Sequence, residues 1–364
     1  MRQTDATILA VDYHLPAKAV TSADLAGEFP DWKVEKIRGK TGIETRYVAA
    51  EGECASDLAV AAARKLFDSG ACRPEDVDYL LLCTQSPDYY LPTTACLLQD
   101  RLGLPTRSGA LDFNLGCSGF VYGLGLAKGL VETGQASKVL LITAETYSKF
   151  INRMDRTART IFGDAAAATL VGAAGASGAS AGGGIGPFAF GTDGRGAANL
   201  IVPAGGLRKP RSGATSRAAE DAGGSWRSED DLYMNGPEIF TFTLQAVPAV
   251  VDELLTKSGK SLGEVDLFVF HQANAFMLSH LRDKLGIPED KFVMAMEGCG
   301  NTVSSTIPIA LKDAGDRGRL RPGDLIMVAG FGVGYSWGAA LLRWAGPPTP
   351  PPDTDDPGRP FPSG

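Results

Sequence analysis

The sequence predicts an α/β protein made of two similar halves, each a sheet of strands alternating with helices and packed into one layered body. The first observation behind this is a near-repeat. DVDYLLLCTQS, with a segment after it ending RLGLP, is echoed by EVDLFVFHQAN and a segment ending DKLGIP. Val77-Asp78 correspond to Val265-Asp266, 188 residues on, and Pro105 to Pro288, 183 residues on. Self-similarity at so long a period reads as internal duplication rather than a short-repeat solenoid; two generic αβαβ units resembling each other by chance is the alternative. The second observation is that helical periodicity alternates with short apolar runs. The third is that 364 residues, 44% of them hydrophobic, are ample for one large core or two closely packed ones.

In chain order, an amphipathic helix is predicted at about 57–68, before the strand in DYLLLC, and a further strand in KVLLITAE at 138–145. The second half repeats the plan, with a helix at about 240–258, the strand in DLFVF and another in DLIMVAGF at 324–331. Strands alternating with helices imply a mostly parallel sheet in each half, covered on both faces. The glycine- and alanine-rich run at 172–186 marks the junction, so the halves are placed at 1–176 and 177–346. Residues 205–228, polar and glycine-rich, are expected to form a mobile surface insertion, and the proline-rich stretch 347–364 a disordered tail.

Composition excludes some functions. A net charge of −7 argues against a general nucleic-acid binder. The N-terminus lacks a basic region followed by an apolar run, and no stretch of about twenty apolar residues is evident, so a soluble cytoplasmic protein without membrane contact is expected. The six cysteines have no C-x-x-C spacing or histidine cluster, so no metal site is predicted and the thiols should be reduced. Only three histidines are present, His14, His271 and His280, which narrows the search for a base.

Cys117 lies in LDFNLGCSGFVYGLGLAKGL, where an apolar strand runs through glycine into a helical pattern. The thiol therefore sits at a helix N-terminus, where the dipole and free N–H groups favour the thiolate; simple burial of a packing cysteine is the alternative. His271 closes the apolar run EVDLFVF, at the strand end where active groups gather in α/β sheets. Asn301, in MEGCGNTVSSTIPIAL, opens another glycine-flanked helical segment. Shifted back by 183 it falls at 118, beside Cys117, so a pseudo-twofold would bring the two helix starts together with His271 close by. GFGVG at 330–334 could supply a backbone N–H, at about Val333, to join that of Cys117 in an oxyanion hole; an ordinary glycine turn fits equally.

Together NLGCSGF, FVFHQAN, GCGNT, IFGDAAAA and FGVGYSWGAALLRW resemble β-ketoacyl-acyl-carrier-protein synthase III, of the thiolase superfamily, over roughly residues 5–346. The resemblance implies the thiolase fold, two pseudo-twofold-related α/β halves in a layered αβαβα arrangement. It implies that Cys117 takes an acyl group from acyl-CoA or an acyl carrier protein, and that His271 and Asn301 hydrogen-bond the thioester carbonyl of malonyl-ACP as it decarboxylates and condenses. The enzyme would act as a homodimer with no permanently bound cofactor. By the same resemblance Lys40 and Arg156 hold the coenzyme A phosphates and adenine edge, Gly236 and Asn274 touch the pantetheine arm, Phe162 lines the acyl pocket, and Leu91 closes it from the partner subunit.

The departures point away from a housekeeping role and towards a specialised pathway. Trp32 is displaced from the place of an adenine-stacking tryptophan, Phe276 and Thr241 stand where basic residues are common, and Cys299 replaces a frequent histidine. Leu91 stands where phenylalanine is frequent, which suits a longer or branched primer. Two rivals are acyl transfer to an alcohol or amine without condensation, against which Asn301 argues, and a non-catalytic partner subunit, against which the intact Cys117–His271–Asn301 set argues.

Overall fold

The computed structural model describes residues 5–29, 33–175 and 183–346. Two sheets carry the architecture. The first has the order β1-β7-β6-β4-β5, formed by β1 (Ala6–His14), β4 (Tyr79–Cys83), β5 (Gly109–Phe113), β6 (Lys138–Glu145) and β7 (Ala165–Ala173). The second has the order β13-β14-β15-β8, formed by β8 (Gly184–Thr192), β13 (Leu267–Phe270), β14 (Leu325–Gly332) and β15 (Ser336–Arg343). Read from the first strand of each half, β1-β7-β6-β4 and β8-β15-β14-β13 are the same order, as the repeat requires. The counterpart of β5 is reduced to one parallel bridge between Phe268 and Phe292.

The strands read as continuous apolar runs because both of their faces are buried. In β4, Leu80 and Leu82 face the outer helices α3 (Ala55–Asp68) and α4 (Thr94–Arg101), while Leu81 faces inward. In β13, Phe268 and Phe270 pack on the outer helices α6 (Gly236–Ser258) and α7 (Ala275–Leu285), while Leu267 and Val269 face inward. Between the sheets lie α5 (Gly119–Glu132) and α8 (Thr306–Asp316), whose Phe120, Leu124, Ile307 and Leu311 share one core with both inner faces. The result is the expected αβαβα layering.

The sheets are mixed rather than mostly parallel. β4 runs parallel to β5 and β6, and β13 to β14, where a helix intervenes in the chain. β6–β7, β1–β7, β14–β15 and β15–β8 are antiparallel. The turn at 333–335 leaves no room for the crossover that a parallel β14–β15 pair would need.

The smaller elements lie outside the layers. β2 (Lys18–Thr21) pairs with β3 (Thr45–Val48) around α1 (Ser22–Glu28) and α2 (Val34–Thr41). β9 (Leu200–Ile201) pairs with β12 (Tyr233–Met234), and β10 (Ala219–Glu220) with β11 (Trp226–Arg227). The last pair belongs to the segment 205–228, expected as a mobile insertion. In the structure it is folded against the body: Arg227 pairs with Asp155 and Asp221, the Trp226 N–H donates to the Met154 carbonyl, and Ser225 is buried. Its polar residues thus serve tertiary bonds. The junction at 176/177, Trp32 and the tail 347–364 lie outside the described residues.

The expectation of no long apolar stretch is corrected by α6, whose 23 residues are long and apolar enough to cross a membrane by length and composition. Its Phe242, Val247, Val250, Val251 and Leu254 are buried in the core of the second half, which explains the apolar composition.

Candidate active site

Three turns that lead into the helices α5, α7 and α8 carry the candidate residues. The first carries Cys117, between β5 and α5, in a turn closed by the Gly119 N–H on the Gly116 carbonyl at 2.8 Å. The second carries His271, whose N–H donates to Ala329 O across the β13–β14 ladder at 2.8 Å. The third carries Asn301, in the turn before α8, with its N–H on Ile161 O at 2.9 Å and its carbonyl accepting from Gly163 N–H at 3.0 Å. All three residues are buried. Glycine is required where β14 passes the thiol: a Cβ at Gly332 would stand 2.9 Å from the Cys117 Cβ and Sγ.

The sulfur lies under two backbone N–H groups, its own and that of Val333. Burial, with the nearby Glu145 carboxyl, outweighs them and pushes the thiol up to about 12. The backbone N–H groups do favour the thiolate, as expected, but burial outweighs them. α5 begins only at Gly119, two residues on, and desolvation opposes charge in so enclosed a place. A thiol held protonated needs a base before it can react as the thiolate. His271 is held neutral by burial, its imidazole pushed down to about 3, so at neutral pH one ring nitrogen carries a lone pair while burial opposes a lasting imidazolium.

Val303 joins the other two residues. It holds φ at +56°, which a β-branched residue rarely adopts. In this conformation its N–H donates to Asn301 Oδ1 at 2.9 Å, and among the described residues the Asn301 amide nitrogen has no hydrogen-bond partner. Its carbonyl accepts the Thr306 hydroxyl at 3.0 Å, and Thr306 Oγ1 lies 2.7 Å from His271 Nδ1. One strained residue therefore orients both side chains.

Apolar side chains wall the sulfur. Phe162, Tyr147, Leu200, Leu232 and Val303 form one buried cluster with Cys117, against which Val333 packs. Phe162 also bridges to Asn301. A cavity of about 990 Å³ adjoins, lined by Gln85, Tyr147, Leu200, Leu232 and Val333 among others. Its wall is not wholly apolar, because the Tyr147 hydroxyl donates to Gln85 Oε1 at 2.5 Å and Gln85 Nε2 donates to Asn114 at 3.0 Å.

Seven further positions singled out by sequence are not members of this cluster. Leu91 is 85% exposed, beside exposed Tyr89 and Tyr90. Lys40 is exposed in the last turn of α2. Arg156 is half-buried, its guanidinium 5.3 Å from the Phe29 ring and its backbone N–H on Ser225 Oγ of the docked insertion. Gly236 opens α6, and Asn274 caps α7 by accepting the Met277 N–H at 2.9 Å. Phe276 and Thr241 are exposed, and Phe276 groups with Phe240 and His280.

Sequence reasoning missed Glu145 and Thr306. Glu145 is fully buried at the end of β6 and accepts from the Gln85 N–H, Ser86 Oγ and Ser304 Oγ. A charged residue ending the run KVLLITA was its only visible signal.

Two family models match the chain, 3-oxoacyl-[acyl-carrier-protein (ACP)] synthase III over residues 111–194 and the synthase III C-terminal model over 255–344. A β-ketoacyl-[acyl-carrier-protein] synthase III of Streptomyces coelicolor is 40% identical over 332 residues, covering 91% of this chain and 94% of the relative. The chain belongs to the β-ketoacyl-acyl-carrier-protein synthase III family. As a member it is a condensing enzyme with the thiolase fold. A solved 3-oxoacyl-(acyl-carrier-protein) synthase III aligns with a TM-score of 0.90 and 54% identity, over 93% of this chain and all of that one. The priming β-ketosynthase of the R1128 polyketide pathway aligns with a TM-score of 0.79 and 27% identity, over 95% of this chain and 98% of that one. The first model spans Cys117 and runs on through β8, and the second spans the His271–Asn301 pair.

Proposed function

We propose that the enzyme loads an acyl group from acyl-CoA, or from an acyl carrier protein, onto Cys117 and extends it by decarboxylative condensation with malonyl-ACP. The observation that carries this reading is the sulfur beneath the N–H groups of Cys117 and Val333, with a donor amide at Asn301 oriented beside it. The thiol proton passes to His271 as sulfur attacks the thioester carbonyl. The two N–H groups stabilise the resulting oxyanion, and the donor thiolate leaves. Malonyl-ACP then enters, and His271 and Asn301 donate to its thioester carbonyl while carbon dioxide departs. The enolate carbon attacks the acyl-cysteine, a carbon–carbon bond forms and the Cys117 thiolate is released.

Lys40 and Arg156 would meet the coenzyme A end of the donor, Gly236 and Asn274 the pantetheine arm, and Phe162 the acyl chain. Leu91, exposed in its own chain, would close the pocket of a second subunit in a cytoplasmic homodimer. No permanent cofactor takes part. The absence of a basic residue at Thr241 and Phe276, the polar Gln85–Tyr147 pair in the cavity and the likeness to a priming ketosynthase support a specialised pathway.

Asn301→Ala tests the division of labour. It is expected to load acyl groups normally and to lose malonyl decarboxylation by about a hundredfold or more, the usual cost of one oxyanion donor. Unchanged decarboxylation refutes the role.

A further inference from the structure

We infer that Thr306 is a positioning residue that holds His271 as the Nδ1–H tautomer, so that Nε2 faces the substrates as a lone pair in the resting enzyme. The argument is one of proton accounting. A backbone carbonyl can only accept, so the 3.0 Å contact between Thr306 Oγ1 and Val303 O commits the hydroxyl proton to Val303. The hydroxyl oxygen then has only lone pairs left for His271 Nδ1, 2.7 Å away. That contact is a hydrogen bond only if Nδ1 carries the proton. Nε2 is then left as the unprotonated ring nitrogen. The arrangement is rigid, because Thr306 is buried at the first position of α8 and Val303 is locked at positive φ between Asn301 and Thr306. The influences on the ring are its burial and the Val303 carbonyl, with no charged side chain among them; Cys117, its proton donor, faces Glu145.

The tautomer deepens the proposed function, on which this part of the inference rests. With Nε2 free, His271 accepts the Cys117 proton during loading and becomes an imidazolium with both nitrogens protonated. Nε2–H can then donate to the malonyl thioester carbonyl. When condensation expels the Cys117 thiolate, the same proton returns to sulfur. The proton that His271 donates in the second half-reaction is thus the one it took in the first, and the Thr306–Val303 pair supports the cation meanwhile through Nδ1–H.

With only three histidines in the chain, nitrogen-15 spectra of histidine-labelled protein can report the tautomer directly. The wild type and Thr306→Ser should show His271 protonated on Nδ1, and Thr306→Val should shift it towards the Nε2–H form. Alkylation of Cys117 by iodoacetamide at neutral pH should fall by about a hundredfold in Thr306→Val, the lower range for a lost general base, and recover in Thr306→Ser. An Nε2–H pattern in the wild type overturns the inference. So does an unchanged alkylation rate in Thr306→Val, or a Thr306→Ser enzyme as slow as Thr306→Val. Neither readout uses an acyl thioester, so failure here is distinct from failure of the proposed condensation.

Discussion

At Cys117 two sets of forces oppose each other. Burial and the Glu145 carboxyl keep the proton on sulfur, while two backbone N–H groups favour its removal. The balance favours the protonated thiol. Glu145 is itself pushed up to about 8 by burial, against the three donors that hold it. Its charge raises the Cys117 thiol, and also Cys83 and Tyr147, so removing that charge should ease thiolate formation. In Glu145→Gln the pH midpoint for iodoacetamide labelling of the Cys117 peptide is therefore expected to move to lower pH. A midpoint that stays or rises contradicts the electrostatic role. Cys117 and Asn301 stand out in the sequence because each lies in a glycine-flanked turn before a helical pattern, and His271 because it closes an apolar run. Thr306 and Glu145 were not, because their meaning depends on contacts made only after the halves fold together: Glu145 meets Ser304 across 159 residues.

At the scale of elements, local pattern foretold the strands and helices well and their directions less well. The helix spans at 57–68 and 240–258 fall within α3 and α6, because an amphipathic face needs only local spacing. The antiparallel β14–β15 pair depends on a three-residue turn, which an apolar run on each side does not announce. Composition also misled at 205–228, where polar and glycine residues suggested a loose loop. Arg227 and Asp155 lie 72 residues apart in the chain, yet the Asp155 side chain is fully buried beneath the arginine. Asp155 also caps the turn at Ala158, which belongs to the Cys117 cluster. Arg227→Ala should leave a buried carboxylate unpaired, at a cost of about 3–5 kcal/mol. Limited proteolysis should then cut within 205–228 sooner than in the wild type, and an unchanged cleavage rate would show that the pair does not hold the insertion.

For the whole molecule, duplication is the organising fact. Equivalent strand orders in the two sheets set α5 and α8 side by side in the middle layer, and each presents its N-terminal turn to the same point. In the proposed mechanism one turn supplies the nucleophile, the other the donor amide and, through Thr306, the partner of His271. Neither half holds the full set, which is why the chemistry belongs to the layered whole. Mass spectrometry of the intact enzyme, first with a panel of acyl-CoA thioesters and then with malonyl-ACP, tests this most directly. The account predicts an acyl adduct that is absent in Cys117→Ala, cleared by malonyl-ACP, and recovered as a carrier-bound product two carbons longer. An adduct that persists with malonyl-ACP and is cleared only by an alcohol or amine would contradict it.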